Sequence, residues 1–378
     1  MYFLMIEEFD NQKVKMSGGV YGGDEVGALV MDVGSCTTRA GWAGEDSPRV
    51  DVPSVIGHAG DNSYVGTNRL HLVREGMKLS EPIVRDGIIN DWDSAELLFN
   101  YVYKDVLQCD SSQHPILLSE PAWNSSSARD KAIELFFETF QVPAFMLCNS
   151  AVLAAFAHGR SSALVLDSGA QQTVAVPVHE GFALKQAVVK SPLAGDFISS
   201  QCRQSLLSNG LEPIPIYMVG SRGDSQTGAG WKKKQNLPTV ADSYHEFMVR
   251  ELMQDVSASV LQVIADPPYD EDTIAQMPGV GYDFPNGHHY NFAEHRFRIA
   301  EGLFEPQFIQ LPNDKELHAM MSMSGVVTTA IGMCDIDLRP HLYSNIVTVG
   351  GNSLILGFTE RLNRDLSTKV PGNIKIKV

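Results

Sequence analysis

Three short apolar runs alternate with amphipathic stretches along the chain, and each run ends at a glycine turn. The runs span residues 28–31, 163–166 and 345–349. Their aliphatic and β-branched residues are typical of buried strands, and glycine permits a sharp turn directly after a strand. We therefore predict three core strands that end in glycine turns.

Helical periodicity is found between these runs. Residues 94–107 carry apolar side chains at helical spacing behind Asp93, which we expect to be the N-cap. Residues 125–140 predict a second helix, with Ile133, Phe136 and Phe137 on one face. A third helix is predicted over 150–157, before a C′ glycine at 159. Strands that alternate with helices indicate an α/β fold.

Two segments interrupt this pattern. Residues 1–27 become glycine-rich and predict a flexible N-terminal tail. Residues 219–236 combine several glycines with Lys232, Lys233 and Lys234, and they predict a flexible insertion loop. The lysines are most simply interpreted as a solvated face.

Composition narrows the possible functions. The 378 residues are enough for two domains, and the formal net charge of −16 disfavours binding to the phosphate backbone of nucleic acids. Five scattered cysteines without a C-x-x-C pair argue against a disulfide framework or a zinc site. No apolar stretch is long enough for a transmembrane helix, and the apolar start lacks the basic flank of a signal peptide. We expect neither membrane association nor direct, sequence-specific DNA binding.

Two of the glycine turns share the pattern Asp-x-Gly, with Asp32 before Gly34 and Asp167 before Gly169. One such turn is common in proteins, so the prediction depends on the pair. We expect each glycine to adopt positive φ and to turn backbone N–H groups towards phosphate oxygens, so that both turns hold a triphosphate. The two carboxylates are candidate ligands for Mg²⁺, which prefers oxygen.

Other residues near the turns complete the candidate site. Ser35 offers a hydroxyl, and Arg39 a guanidinium, to the β- and γ-phosphates. The diglycine Gly350–Gly351 follows the third strand and leaves room for a nucleotide base. Together with the two turns, these residues predict nucleotide binding.

Longer stretches resemble actin. Residues 31–57 (MDVGSCTTRAGWAGEDSPRVDVPSVIG) and 164–184 are similar to its two phosphate-binding segments, and 349–366 (VGGNSLILGFTERLNRDL) to its adenosine-binding segment. The similarity extends from about residue 28 to 378. The segments 16–30, 190–198 and 231–238 resemble, more narrowly, the nuclear actin-related proteins of SWI/SNF-type remodelling and histone acetyltransferase complexes.

The resemblance implies an actin-like ATPase fold, in which two lobes with related sheet-and-helix cores enclose a cleft for ATP and Mg²⁺. The outer lobe would comprise 28–157, with a shortened second subdomain at about 53–82, and the inner lobe 158–378. The family continues beyond the position of Val378, so the resemblance also implies that the C-terminal part of the outer lobe is missing.

Three departures from actin bear on activity. Ala170 occupies the place of an aspartate near the metal, and Ser150 that of a glutamine that positions the attacking water. Since positioning is most of what catalyses phosphoryl transfer, we expect ATP to be bound but hydrolysed very slowly, and the protein not to act as an enzyme. The segment 53–82 lacks the long subunit-grasping loop, so we expect no filament.

The resemblance further implies a nuclear, structural and regulatory subunit in transcription regulation. Its expected partners are actin, a helical segment of a remodeller motor subunit and other chromatin-complex subunits. Two alternatives stay open: an active ATPase or phosphotransferase of the sugar-kinase and chaperone superfamily, and a cytoskeletal actin-like protein.

Overall fold

The computed structural model describes residues 27–84, 87–266, 270–309 and 320–378, so the predicted tail lies outside the described residues apart from Gly27. The strands are β1 (Leu29–Val33), β2 (Thr37–Trp42), β3 (Val50–Pro53), β4 (Ile56–Ala59), β5 (Asn62–Tyr64), β6 (Lys78–Ser80), β7 (Ile83–Val84), β8 (Ile88–Ile89), β9 (Ile116–Glu120), β10 (Phe145–Asn149), β11 (Ala163–Ser168), β12 (Thr173–His179), β13 (Phe182–Ala183), β14 (Val189–Ser191), β15 (Val219–Ser221), β16 (Lys232–Lys233), β17 (Val280–Asp283), β18 (His289–Phe292) and β19 (Ile346–Val349).

Helices connect these strands. The α-helices are α1 (Thr67–Leu70), α2 (Trp92–Tyr101), α3 (Ser126–Glu134), α4 (Ser150–Ala157), α5 (Gly195–Ser208), α6 (Asp242–Val260), α7 (Glu271–Ile274), α8 (His295–Glu301), α9 (Met323–Gly332), α10 (Arg339–Tyr343) and α11 (Phe358–Lys369). The π-helical segments are Val102–Leu107 and Leu135–Thr139, and the 3₁₀ segments are Ser111–Gln113, Lys185–Ala187, Ile216–Met218, Pro306–Phe308 and Gly351–Leu354. Among the described residues, no helix has both the length and the apolar character needed to cross a bilayer.

Two sheets with the same internal plan form the framework. The first has the strand order β10-β9-β1-β2-β3, and the second has the order β13-β12-β11-β19, with β14 also paired to β12. In each sheet the leading strand, β1 or β11, is antiparallel to the next strand and parallel to a strand from much later in its half, β9 or β19. All three predicted core strands are confirmed, and so is the α/β fold with two related sheets.

Separate cores stabilise the two sheets. The second sheet lies between a large cluster, which includes buried residues of α5, α6, α9 and α11, and a smaller one formed with α4. The first sheet packs against α2 and the aromatic residues around Phe136. Helix α4, at the end of the range 28–157 that the resemblance assigns to the outer lobe, packs on the second sheet.

The first predicted helix begins earlier in the sequence than predicted and changes from α-helix to π-helix. It begins at Trp92, and its N-cap is Asp91, whose carboxylate accepts a 3.1 Å hydrogen bond from Ser94 N. The prediction of Asp93 as the cap is therefore wrong, because Asp93 already lies in the first helical turn. The α-helix ends at Tyr101 and continues as π-helix.

The second predicted helix also changes to π-helix, from Leu135. Phe136 is fully buried, whereas Ile133 and Phe137 are each 43% exposed, so the predicted common face is wrong for these two residues. A π-helix has more residues per turn than an α-helix, and this shifts the face that side chains present. The third prediction is confirmed: α4 ends before Gly159, which has a φ of +68°.

The segment 219–236 is more regular than predicted. Strands β15 and β16 pair within it as an antiparallel hairpin, so the interpretation as a loop throughout is wrong. Gly223 N donates a 2.8 Å hydrogen bond to the carbonyl of Asn286, which ties this hairpin to the neighbouring β17–β18 hairpin. The lysines are exposed, as predicted.

Candidate functional site

A cavity of about 530 Å³ opens where the two sheets meet, within the size range of ligand pockets. All eight sequence-predicted binding residues contribute to its lining: Asp32, Gly34, Ser35, Arg39, Asp167, Gly169, Gly350 and Gly351. The two Asp-x-Gly turns face this cavity because each follows the leading strand of its sheet. The prediction that the turns meet at one cleft is therefore supported by the geometry.

Each turn is closed by its glycine in the same way. Gly34 N donates to Thr37 O at 3.0 Å, and Gly169 N donates to Gln172 O at 3.1 Å. Neither glycine has positive φ, so that part of the prediction is wrong. A Cβ at Gly34 would lie 2.9 Å from Thr37 O, so glycine is needed there because the hairpin arms are close. The N–H groups of both glycines are therefore hydrogen-bonded within the turns themselves.

Gly350, unlike the glycines of the two turns, has a positive φ. It has a φ of +86°, and a Cβ at this position would lie 2.3 Å from Ser168 O and 2.6 Å from Asp167 Oδ1. Only a residue without a side chain therefore allows the end of β19 to approach β11 so closely. Gly351 differs, because a Cβ there would meet no atom within 4 Å. The space beside Gly351 is open towards the cavity.

The two carboxylates both line the cleft, and the charge of Asp32 acts on Asp167. Burial and, to a smaller extent, the charge of Asp32 raise the pKa of Asp167 to about 6. Burial also raises the pKa of Asp32, but there a hydrogen bond donated by the Ser119 hydroxyl and the charge of Arg39 act in the opposite direction. A cation between the two carboxylates would relieve this unfavourable charge burial.

Arg39 lies at the rim of the cleft. It pairs with Asp32 in the β1–β2 register, and its Nε donates to Asp51 Oδ2 at 3.2 Å. Both partners of this ion pair are about half exposed. The guanidinium is thus close enough to affect Asp32, but it is engaged with a surface carboxylate, and its contact with phosphate stays a prediction.

Several residues that hold the second turn were missed from the sequence. Asn352 is buried, and its Nδ2 donates to Ser168 Oγ at 3.0 Å and to Gly169 O at 2.9 Å. At the start of α5, Gly195 N donates to Gly169 O at 2.9 Å, and Asp196 N donates to Ala170 O at 2.7 Å. In the sequence, Gly195 is recognisable only as a glycine between a strand and a helix. This pattern does not indicate that it contacts Gly169.

A polar chain that crosses the cleft was also missed. Cys36 Sγ donates to Gln254 Oε1 at 3.7 Å, and Gln254 Nε2 donates to Asp196 Oδ1 at 3.4 Å. The chain joins the first turn to α5 and α6. Because Cys36 and Gln254 are 218 residues apart in the sequence, no local sequence pattern indicates this contact.

The chemistry of this cleft fits a magnesium nucleotide. Two partly buried carboxylates supply oxygen ligands, and Mg²⁺ commonly takes only one or two from the protein while it keeps several waters. Gln171 Oε1 faces no hydrogen-bond partner among the described residues although it is buried, and Gln171 lines the cavity. Ala170 and Ser150 also line the cavity, so both departures from actin lie where they would affect a bound ligand.

Comparisons with known proteins agree with the family resemblance found in the sequence. The family profile described as Actin matches residues 23–378. A protein of Arabidopsis thaliana named Actin-related protein 4 is 35% identical, and the alignment covers 95% of this chain and 89% of the relative. Proteins of the same name from Oryza sativa subsp. indica and Emericella nidulans are each 34% identical, over 95% and 96% of this chain and 89% and 88% of theirs.

Proposed function

Since the chain belongs to the actin family, we propose that it is a Mg²⁺–ATP-binding, actin-related subunit of nuclear chromatin-remodelling or histone acetyltransferase complexes. Its role there is structural and regulatory, and it pairs with actin, with a helical segment of a motor subunit and with other subunits of the complex. The nucleotide serves as a stabilising ligand: one that binds only the folded state adds about 2.7 kcal/mol at a hundredfold excess over Kd.

The observation that carries the nucleotide part is the pair of matching turns around one cavity. Asp32 and Asp167 both line it, and the charge of Asp32 raises the pKa of the buried Asp167, as expected for carboxylates that share a metal site. In the proposed complex these two side chains hold the Mg²⁺, and the Ser35 hydroxyl contacts phosphate. The open space at Gly351 accommodates the base.

Binding of Mg²⁺–ATP to the purified chain tests this assignment. We expect the wild-type chain to bind, and the variant with both Asp32→Ala and Asp167→Ala to lose at least about a hundredfold in affinity, because it lacks both metal ligands. Asp61→Ala, at an exposed carboxylate outside the cleft, is the matched control and should bind normally. Equal affinity in the double variant would refute the site.

Slow hydrolysis is the second part of the proposal. Ala170 has no polar side chain, and Ser150 has a short one, so an attacking water is held by fewer groups than in actin. Single-turnover measurements should show little hydrolysis by the wild-type chain and a gain when Ala170→Asp and Ser150→Gln are combined. Turnover by the wild-type chain as fast as that of filamentous actin would contradict the proposal. A sugar- or peptide-dependent turnover would favour the phosphotransferase or chaperone alternative.

The complex is tested by affinity purification of the tagged protein from nuclear extract, followed by mass spectrometry. Recovery of actin together with remodeller or acetyltransferase subunits is the expected result. Recovery of the chain without them would contradict the subunit role. A pelleting assay at micromolar concentration should show no polymer, and a pellet would instead favour a cytoskeletal function.

A further inference from the structure

The second turn carries a polar side chain that the contacts proposed above do not use. Ser168 and Thr173 are the last paired residues of β11 and β12, so residues 169–172 form the loop of this hairpin. Gln171 lies in that loop and lines the cavity. Its Oε1 atom is buried and has no hydrogen-bond partner among the described residues. A buried amide oxygen without a donor is costly, so this atom requires a donor from within the cavity.

The loop that carries Gln171 is fixed at both ends. The Thr173 hydroxyl donates to Leu193 O at 2.6 Å and lies 2.8 Å from Ser168 Oγ. The first two carbonyls of the loop accept hydrogen bonds from the start of α5. Gln171 therefore projects from a rigid backbone, as a residue that positions a ligand requires.

The chemistry of the proposed ligand limits which donor can reach Oε1. Phosphate oxygens of ATP accept hydrogen bonds, and the base lies near Gly351 in the proposed complex. Gln171 belongs instead to the hairpin of Asp167. A Cβ at Gly169 would lie 4.0 Å from Asp167 Oδ1, so this carboxylate is next to the loop. A Mg²⁺ held there keeps several waters, and the metal makes each of these waters a strong donor.

We infer that Gln171 is a positioning residue for the metal: its Oε1 accepts a hydrogen bond from a water of the Mg²⁺ that Asp32 and Asp167 hold. The inference deepens the proposed function and rests on it. Gln171 directly follows Ala170, which stands where actin has an aspartate near the metal, so this chain supplies an acceptor one residue later. The second turn thus acts on the metal through water, and direct contact with phosphate stays with the first turn.

A neutral amide differs in two respects from a carboxylate at this place. It adds no negative charge to a cleft that already contains two aspartates, so the nucleotide-free cleft has less repulsion to overcome. An amide also takes up no proton at neutral pH and cannot act as a general base. Gln171 therefore favours retention of Mg²⁺–ATP without promoting its hydrolysis, as the proposed stabilising role requires.

Gln171→Met tests the inference, because methionine is about as long as glutamine but is a much weaker acceptor. The affinity of this variant for Mg²⁺–ATP should fall at least about tenfold. In EDTA, where ATP carries no Mg²⁺, the variant and the wild-type chain should have the same affinity. Gln171→Glu keeps an acceptor oxygen and should stay within about threefold of the wild-type affinity for Mg²⁺–ATP. Gln113→Met, at an exposed glutamine outside the cavity, is the matched control and should bind normally.

The melting temperature of the nucleotide-free chain is a second measurement. Because Gln171→Met removes a buried acceptor that has no donor in the protein, this temperature should stay the same or rise by about 1–3 °C. A glutamine that only supports the fold would lower the melting temperature when it is replaced. Weaker binding of Mg²⁺–ATP together with an undiminished melting temperature is therefore the expected result.

The outcomes separate the two proposals. If Gln171→Met binds Mg²⁺–ATP as tightly as the wild-type chain, the inference is overturned and the nucleotide site stands. An equal loss in EDTA would show that Gln171 contacts the nucleotide itself, and a lower melting temperature would show a structural role. Either result overturns the inference, and so does an equal loss in Gln171→Met and Gln171→Glu. If the wild-type chain binds no Mg²⁺–ATP, the proposed function fails and the inference fails with it.

Discussion

The two glycine turns of the cleft are built on the same plan but are held in different ways. Both close with an N–H···O bond from glycine to the residue three positions later. The backbone of the first turn is held by its own sheet, since Ser54 N of the neighbouring strand region donates to Cys36 O at 2.9 Å, and among the described residues only the long Cys36–Gln254 side-chain bond reaches across the cleft. The second is also fixed from outside, because the start of α5 donates to the carbonyls of Gly169 and Ala170, and Asn352 donates to Gly169 O.

The difference indicates a division of roles. In the first turn Ser35 keeps a side chain that can bind phosphate, and Ser119 and Arg39 partly offset the burial that raises the pKa of Asp32. In the second turn Ala170 contributes no polar side chain, and its carbonyl is used to anchor α5. The first turn is thus equipped to contact a ligand, and the second is equipped to hold the inner half of the cleft in place.

Gly350→Ala should have the largest effect, because it disturbs the packing of the second turn. A methyl group there would clash with Ser168 O at a backbone conformation that alanine rarely adopts. We expect a loss of about 3–4 kcal/mol in the free energy of unfolding, measured by urea denaturation. Gly351→Ala, one residue later in open space, should change it by less than about 1 kcal/mol. Similar losses in both variants would contradict this account.

Asp167→Asn should stabilise the ligand-free protein at neutral pH. Because burial raises the pKa of Asp167 to about 6, its contribution to stability is present below about pH 4 and is lost as the pH rises to about 6. We expect a gain of about 2–3 kcal/mol near pH 7, and a weaker decline in stability between about pH 4 and pH 7 than in the wild-type chain.

Asp32→Asn should stabilise less, since the hydrogen bond from Ser119 already favours the charged form of Asp32. Urea denaturation across this pH range measures both variants, with the exposed Asp61→Asn as control. An equal gain at Asp32 and Asp167 would show that the two carboxylates have equivalent environments and would remove this part of the contrast.

Asn352→Ala should have an intermediate effect. It removes two hydrogen bonds and leaves Ser168 Oγ and Gly169 O with one donor fewer in the protein interior. We expect a loss of about 1–2 kcal/mol in the free energy of unfolding. Asn209→Ala, which removes an exposed amide bond to Ser205 O, should cost less than about 0.5 kcal/mol. If both variants lose the same amount, Asn352 does not anchor the second turn.

Arg39→Ala should have the smallest effect on stability. Its ion pair with Asp51 is about half exposed, and such pairs contribute less than about 1 kcal/mol. We expect a change of about 0.5 kcal/mol or less, and a clear fall in affinity for Mg²⁺–ATP if the guanidinium turns to the phosphates on binding. Asp51→Ala removes the same ion pair and should leave the affinity unchanged. A fall of the same size in both variants would show that Arg39 acts only through the ion pair.

Much of this architecture is predictable from the sequence. The three strand-and-glycine runs, the α4 helix with its C′ glycine and the residues of both Asp-x-Gly turns all follow from local patterns, because strand propensity and turn chemistry act over a few residues. Helix boundaries were less accurate: the cap at Asp91 in place of Asp93 and the π-helical continuation from Val102 depend on packing against the sheet.

The sequence by itself determined which residues are the candidates for nucleotide binding: two aspartates and a serine close to glycines, and a diglycine after the third strand. Only the tertiary structure decided how these groups are held, as the bonds from Asn352 to the second turn show. The physical reason is distance along the chain. Residues separated by more than a hundred positions become neighbours only through the packing of whole elements, and no local pattern records which partners that packing selects.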